Sequence, residues 1–292
     1  MFKRKTKKSL LDKIRQFIKI KSRRPVLKYL ETHLVDHCNL KCKACTHFCP
    51  VLDEFFVSTK DFEKSLLQIS KKISFKNIRL LGGEPLLHPE VSELISISRR
   101  IFPKSKISIV TNAILLKDMQ EKFWQSCRLN DVSIDLSLYP PFENEFEEFK
   151  DLINSNGVKV GHIHECTKMY VSHNPKGNSD VKIAHKNCVL KNYKILKGTK
   201  IYPCPNSAYI NQYNLKYGLK LIKDEGIDIA TNCAKKIIQK TNMPINCCRF
   251  CSYVARAFEW EYSSQNKDEW NVIDDVSKID EFHQYILKKI NQ

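Results

Sequence analysis

The sequence predicts an α/β protein built on a parallel sheet, and three features point that way. From Tyr29 onward, short apolar segments, one of them alternating strictly with polar residues, take turns with segments whose apolar residues recur at helical spacing. The connections hold Gly, Pro and Asn. The chemically conspicuous groups stand just after strands, where ligands of parallel sheets gather. With 292 residues and 42% hydrophobic content, the chain can bury a core of one large unit or about two domains.

Taken in order, Leu30 to Asp36 reads as a first strand that runs into a cysteine loop. Ser58 with Asp61 forms a capping box for a helix whose Phe62, Leu66, Ile69 and Ile73 share one face. Asn77 to Leu81 is a short strand entering Gly82-Gly83-Glu84-Pro85. Pro89 suits the first turn of a helix with Val91, Leu94 and Ile95, and Pro103 follows it. Lys106 to Asn112 is a third strand, Lys117 to Cys127 a third helix and Asp131 to Leu138 a fourth strand. There Val132, Ile134, Leu136 and Leu138 alternate with Ser133, Asp135 and Ser137, placing three polar groups on one face. A helix from Glu143 to Asn156 stops at Gly157, and Val158 to His164 is a fifth strand.

The net charge of +17 is concentrated in residues 1–28, which hold twelve Lys or Arg against one acid, Asp12. Leu10, Leu11, Ile14, Phe17 and Ile18 line one helical face in this arm, a pattern suited either to an anionic membrane surface or to packing on its own domain. Because the excess sits in the arm, a nucleic-acid partner is not expected for the body. No run of eighteen apolar residues is present. Twelve cysteines without signal-peptide architecture point to a reducing, cytoplasmic setting and to metal or redox chemistry.

The decisive stretch is His33 to Pro50, with Cys38, Cys42 and Cys45 spaced C-x3-C-x2-C. Three close thiols make a metal site, and three rather than four leave one position for something other than protein. Cys49-Pro50 adds part of a ferredoxin signature, and four clustered cysteines can also close a zinc site. The barrel-like array and Gly82-Gly83-Glu84-Pro85 argue against an iron–sulfur carrier or a structural zinc protein. Cys49 then reads as a small buried residue nearby.

With these motifs in this order, residues 30–165 resemble the radical S-adenosylmethionine (SAM) enzymes. The resemblance implies a partial (β/α)6 TIM-like barrel, Cys38, Cys42 and Cys45 holding a [4Fe–4S] cluster, and SAM on its fourth iron. It also implies reductive cleavage of SAM to a 5′-deoxyadenosyl radical, fed by flavodoxin or ferredoxin. Gly82, Gly83, Glu84 and Pro85 are expected to hold the SAM amino group, their glycines permitting close main-chain approach, with Thr111, Asn112 and Ser137 as further contacts. Many members have an aromatic residue before the third cysteine; this chain has Ala44, with Phe48 as its substitute near the adenine.

The second half carries Cys188, a turn at Lys197-Gly198 flanked by Tyr193, Ile195, Ile201 and Tyr202, then Cys204 and Cys248-x2-Cys251, with Cys247 as an alternative ligand. Residues 186–255 look like the twitch domain, the shortened SPASM relative, despite one extra residue between Gly198 and Cys204. That resemblance implies a small Cys-rich hairpin and helix domain holding an auxiliary [4Fe–4S] cluster; a zinc knuckle is the alternative. The division expected is an arm at 1–28, a core at 29–185, the auxiliary domain at 186–262 and a tail at 263–292 with a helix through Ile279, Phe282, Ile286 and Ile290. Ser172 to Lys186 reads as a polar linker or cover, and Cys127, Cys166 and Cys233 as ordinary buried cysteines.

The function expected is oxidation or epimerisation of a sugar, aminocyclitol or similar small polar molecule, with ribosomal-peptide maturation as the alternative. His162, His164 and Glu165, at the end of the fifth strand, and Asp135, on the polar face of the fourth, are the candidate bases.

Overall fold

The structure, a computed structural model, describes residues 24–272. The basic helix of the arm and the C-terminal helix lie outside the described residues. The strands are β1 (Val26–Val35), β2 (Ser74–Gly82), β3 (Lys106–Thr111), β4 (Val132–Leu138), β5 (Lys159–Glu165), β6 (Lys168–His173), β7 (Lys194–Lys197), β8 (Lys200–Tyr202), β9 (Ile227–Asp228) and β10 (Cys251–Glu259). The helices are α1 (Thr59–Ser70), α2 (Val91–Ile101), α3 (Glu121–Leu129), α4 (Phe146–Ser155), α5 (Val181–Asn187), α6 (Pro205–Lys216) and α7 (Ala234–Thr241).

One sheet runs in the order β5-β4-β3-β2-β1-β7-β8-β9. All pairings from β5 through β1 to β7 are parallel, and β8 and β9 add antiparallel strands. This is the mostly parallel α/β architecture that the sequence predicts, consistent with an incomplete barrel. The sixth strand in chain order, β6, does not extend it: β6 pairs antiparallel with β10 in a separate two-stranded sheet.

Local chemistry explains the elements. Ser58 accepts from the Asp61 N–H at 3.1 Å and its hydroxyl donates to the Asp61 carboxylate at 2.7 Å, so the box caps α1 as read. Phe62, Leu66 and Ile69 of α1, with Ile73 just beyond it, are buried against Leu30 and Leu34 of β1 and the apolar residues of β2 to β4. The expected third and fourth helices each lose a first turn. Leu116–Asp118 and Pro140–Glu145 are 3-10 turns, and α3 and α4 begin after them, at Glu121 and Phe146. Gly198, at φ +55°, turns the β7–β8 hairpin.

A second core joins the cysteine loop to the C-terminal half, burying Ala44, Phe48, Ile195, Tyr209, Tyr213 and Trp270. Three expectations are corrected here. Phe48 is 1% exposed and packs on Tyr213 and Trp270, with ring centroids 5.1 and 6.1 Å away, so its ring is taken up by this core and has no exposed face for an adenine. Ser172 to Lys186 is not a linker: Asp180 accepts from the Lys182 and Ile183 N–H groups and starts α5 inside it. Cys233, the residue before α7, is exposed, whereas Cys127 and Cys166 are buried. Among the described residues no helix is long and apolar enough to cross a membrane.

Candidate active site and cysteine centres

β1 ends at Val35 and releases the loop that carries Cys38, Cys42, Cys45 and Cys49; its far side returns to bridge Val35 at Phe56. Successive tight turns, Cys45 N–H to Cys42 O at 3.3 Å and Phe48 N–H to Cys45 O at 2.9 Å, wind the loop on itself. Ala44 sits at φ +52° and is 2% exposed in the second core, so the departure from an aromatic residue here has a packing cause.

The glycines of the second motif face main chain. Gly83 N–H donates to Val35 O at 2.8 Å and Glu84 N–H to His37 O at 3.1 Å. A Cβ on Gly82 would lie 2.0 Å from Val35 O, and one on Gly83 1.7 Å from His37 O. The close approach expected toward a ligand is thus made toward the start of the cysteine loop. The Cys49 thiol, buried, donates to Gly82 O at 3.5 Å from the other side.

Glu84 binds three chain segments together. One carboxylate oxygen accepts from Leu86 N–H at 3.0 Å and from the Thr111 hydroxyl at 2.7 Å, and the other accepts from Asn112 N–H at 2.9 Å. Burial pushes its carboxyl up to about 7 even against these donors. Asn112 then donates its amide to Asn39 Oδ1 at 2.8 Å and to the Cys38 sulfur at 3.7 Å. Pro85 is buried beside Glu84, and Ser137, half-buried on β4, lies in register with His164.

Further toward the strand middles a polar row crosses the sheet. Arg79 on β2 pairs with the buried Glu31 of β1 at 2.6 Å and lies 3.8 Å from Asp135 on β4. Asp135 also accepts from the Ser108 hydroxyl and from His162 N–H, each at 2.8 Å. The second of these fills a register shift between β4 and β5, and Gly161 leaves the space, since a Cβ there would lie 2.1 Å from Asp135 Oδ1. His162 and His164 stand on the exposed edge strand β5, ring centroids 6.3 Å apart. Partial burial, then His162 and Arg79, hold His164 below its ordinary range.

Sequence reasoning missed one buried chain. His33 Nδ1 meets Asp36 Oδ1 at 2.8 Å, His33 Nε2 meets His47 Nδ1 at 2.7 Å, and the His33 ring stacks on Tyr209 with centroids 4.1 Å apart. With His33 Nδ1–H donating to Asp36, His33 Nε2 accepts, so His47 donates from Nδ1 and keeps its Nε2 as an acceptor. Burial pulls both imidazoles down, with Asp36 opposing at His33. The signal was available as two histidines flanking the cysteine motif.

The C-terminal segment straps the loop. Lys43 N–H donates to Glu261 O at 2.9 Å, Cys42 bridges Tyr262, and the Trp270 indole donates to Cys45 O at 2.9 Å.

The model of the radical SAM superfamily matches residues 33–180, which span the end of β1, the cysteine loop, the glycine motif and strands β2 to β6. The chain belongs to the radical SAM superfamily. This radical SAM chain is 27% identical over 135 residues to "GTP 3′,8-cyclase" of Microcystis aeruginosa (strain NIES-843 / IAM M-2473), covering 45% of this chain and 39% of that one. It thus spans well under half the length of the curated relatives it matches. Among solved structures it is similar to Streptococcus suis SuiB bound to S-adenosylmethionine, at 22% identity, TM-score 0.39, 52% of this chain and 37% of that one. It is also similar to BtrN in complex with AdoMet and 2-DOIA, at 15% identity, TM-score 0.47, 77% of this chain and 85% of that one.

Radical SAM chemistry requires a [4Fe–4S] cluster and SAM, and the residues present fit them. The Cys38, Cys42 and Cys45 thiols come from one loop, and each of the other two pushes Cys38 up beyond the effects of burial and Glu84. Among the described residues the buried Trp260 indole N–H finds no hydrogen-bond partner, yet it faces Cys42 closely enough to oppose the burial that pushes that thiol up to about 12. A buried donor of this kind suits a sulfur-rich group.

A second group of cysteines lies in the C-terminal half. Cys188, Cys204, Cys247, Cys248 and Cys251 line one cavity of about 20 Å³, together with His185 and Lys191. Cys188 follows α5, Cys204 caps α6, and the other three lie on the 3-10 turn and first residue of β10. All twelve cysteines are free thiols. Among the described residues, no three His, Cys, Asp or Glu converge closely enough to hold one metal ion.

Proposed function

We propose that this radical SAM enzyme carries two clusters and oxidises or epimerises a small polar molecule of the sugar or aminocyclitol type. The first cluster is held by Cys38, Cys42 and Cys45, and an auxiliary [4Fe–4S] cluster by Cys188, Cys204, Cys248 and Cys251 in a twitch-like unit. The observation that carries this reading is the gathering of five cysteines from three separate segments around one cavity.

When bound, the first cluster and SAM supply a radical that removes a substrate hydrogen atom, and the auxiliary cluster supplies an acceptor for the remaining electron. The rest falls to the chain. Glu84 fixes Thr111 and Asn112 at the ends of the strands, and Gly82, Gly83 and Pro85 keep that turn against the cysteine loop, a rigid frame for the SAM amino group. Ser137, near the end of β4, offers a further hydroxyl. The row of Glu31, Arg79, Ser108 and Asp135 presents donors and acceptors that suit hydroxyl and amino groups on a substrate. His162 or His164 takes the hydroxyl proton; Asp135 orients β5 through His162 N–H.

Anaerobic reconstitution followed by iron, sulfide and zinc analysis tests the centres. About eight irons per chain are expected, falling to about four in the Cys248→Ala, Cys251→Ala variant, whereas stoichiometric zinc without iron overturns the reading. Deuterated sugars, aminocyclitols, GTP and peptides, each incubated with SAM and a flavodoxin or ferredoxin reductant, then test the substrate class. Deuterium is expected in 5′-deoxyadenosine from a sugar or aminocyclitol; transfer only from a peptide would replace the small-molecule reading by peptide maturation.

A further inference from the structure

The groups around the second cysteine cavity go beyond the four thiols that a closed structural site needs. Asn206, 6% exposed, directs its side-chain Nδ2 at the Cys251 sulfur, 3.5 Å away. It is the second residue of α6, whose capping residue is Cys204 itself, so the partly positive end of a twelve-residue helix faces the same cavity. Lys194 lies close by on β7, 3% exposed, its ammonium donating to Lys191 O and Thr241 O, each at 2.5 Å. The nearby carboxylate, Glu225, is already engaged: its two oxygens accept from Asn246 N–H and Cys247 N–H at 2.7 Å each.

Resting on the two-cluster reading, we propose that Asn206 acts through the Cys251 sulfur as a positioning residue that raises the potential of the auxiliary cluster and makes it an electron acceptor. Reduction adds one negative charge to a cluster already carrying thiolates. A fixed N–H donor on one of those sulfurs, a helix N-terminus and a buried ammonium all stabilise the more negative state. Burial of the Asn206 donor amplifies the effect, because a hydrogen bond is electrostatically stronger at low dielectric than in water. The arrangement fits a site that takes the electron left on a substrate after hydrogen-atom removal.

The test is an EPR-monitored redox titration of the full-length holoenzyme, with SAM added to shift the signal of the first cluster. Asn206→Leu, similar in size and without a donor, is expected to keep about eight irons. At a fixed poise its reduced auxiliary fraction is expected to fall by up to about tenfold, or 59 mV for one electron. An unchanged potential with full iron content overturns the inference while leaving the two-cluster reading intact. Wild-type protein with only four irons overturns the reading itself. A second measurement needs no variant: pulsed EPR on protein carrying ¹⁵N in its asparagine side chains is expected to show a ¹⁵N coupling at the auxiliary cluster, and its absence overturns the role of Asn206.

Discussion

Glu84 offers the sharpest quantitative test, because its burial and its bonds pull in opposite directions. Three donors favour its ionised form, yet its carboxyl stands near 7 in the fold against an ordinary value of 4.5. At about 1.4 kcal/mol per tenfold change in proton affinity, that rise amounts to about 3 kcal/mol. A folded-state value above the unfolded one means that the native chain binds the extra proton. The contribution is therefore full below pH 4.5 and is lost as pH rises through about 7. Urea unfolding of the cluster-free protein between pH 4.5 and 7.5, compared with Glu84→Gln, isolates it from other groups. The wild type should lose about 3 kcal/mol more than the variant over this window. Parallel pH profiles for the two proteins would refute the reasoning and place Glu84 in a wetter or better compensated setting.

Other consequences follow from single contacts. Gly83→Ala puts a methyl where His37 O stands and should lower stability by about 3 kcal/mol or more, read by urea midpoint, with loss of iron from the first centre. Arg79→Leu leaves Glu31 buried without its cation and should cost about 3–5 kcal/mol, whereas Arg79→Leu with Glu31→Leu should recover most of it; a double-mutant cycle checks this. Ser58→Ala removes the α1 cap and should lower unfolding free energy by about 1 kcal/mol with iron content unchanged.

Much of the sheet was legible because its signals are local. The alternation of Val132 to Leu138, the capping box at Ser58 and the turn at Gly198 each declare an element within a few residues. The strand-end motifs were legible for the same reason, since β1 and β2 each deliver one loop to the same end of the sheet. What stayed hidden depends on distant partners. Nothing near Lys168 says that β6 will pair with β10 and leave the main sheet. Phe48 looked free to cover a ligand until Tyr213 and Trp270 closed over it. Asp135 on a polar strand face resembles a base, and only the register shift with β5 reveals that its carboxylate supports the His162 main chain. The Asp36–His33–His47 chain escaped because its last member lies beyond three cysteines that drew the reading toward metal.

The strap across the cysteine loop also bears on biosynthesis. Its contacts join residues 218 positions apart at Lys43 and Glu261, and 225 apart at Cys45 and Trp270. At synthesis rates of about 5–20 residues per second, the three thiols leave the ribosome roughly 10–45 s before the residues that cover them. Iron delivery to a nascent chain thus has an interval before Glu261 and Trp270, which close over the loop, have been translated.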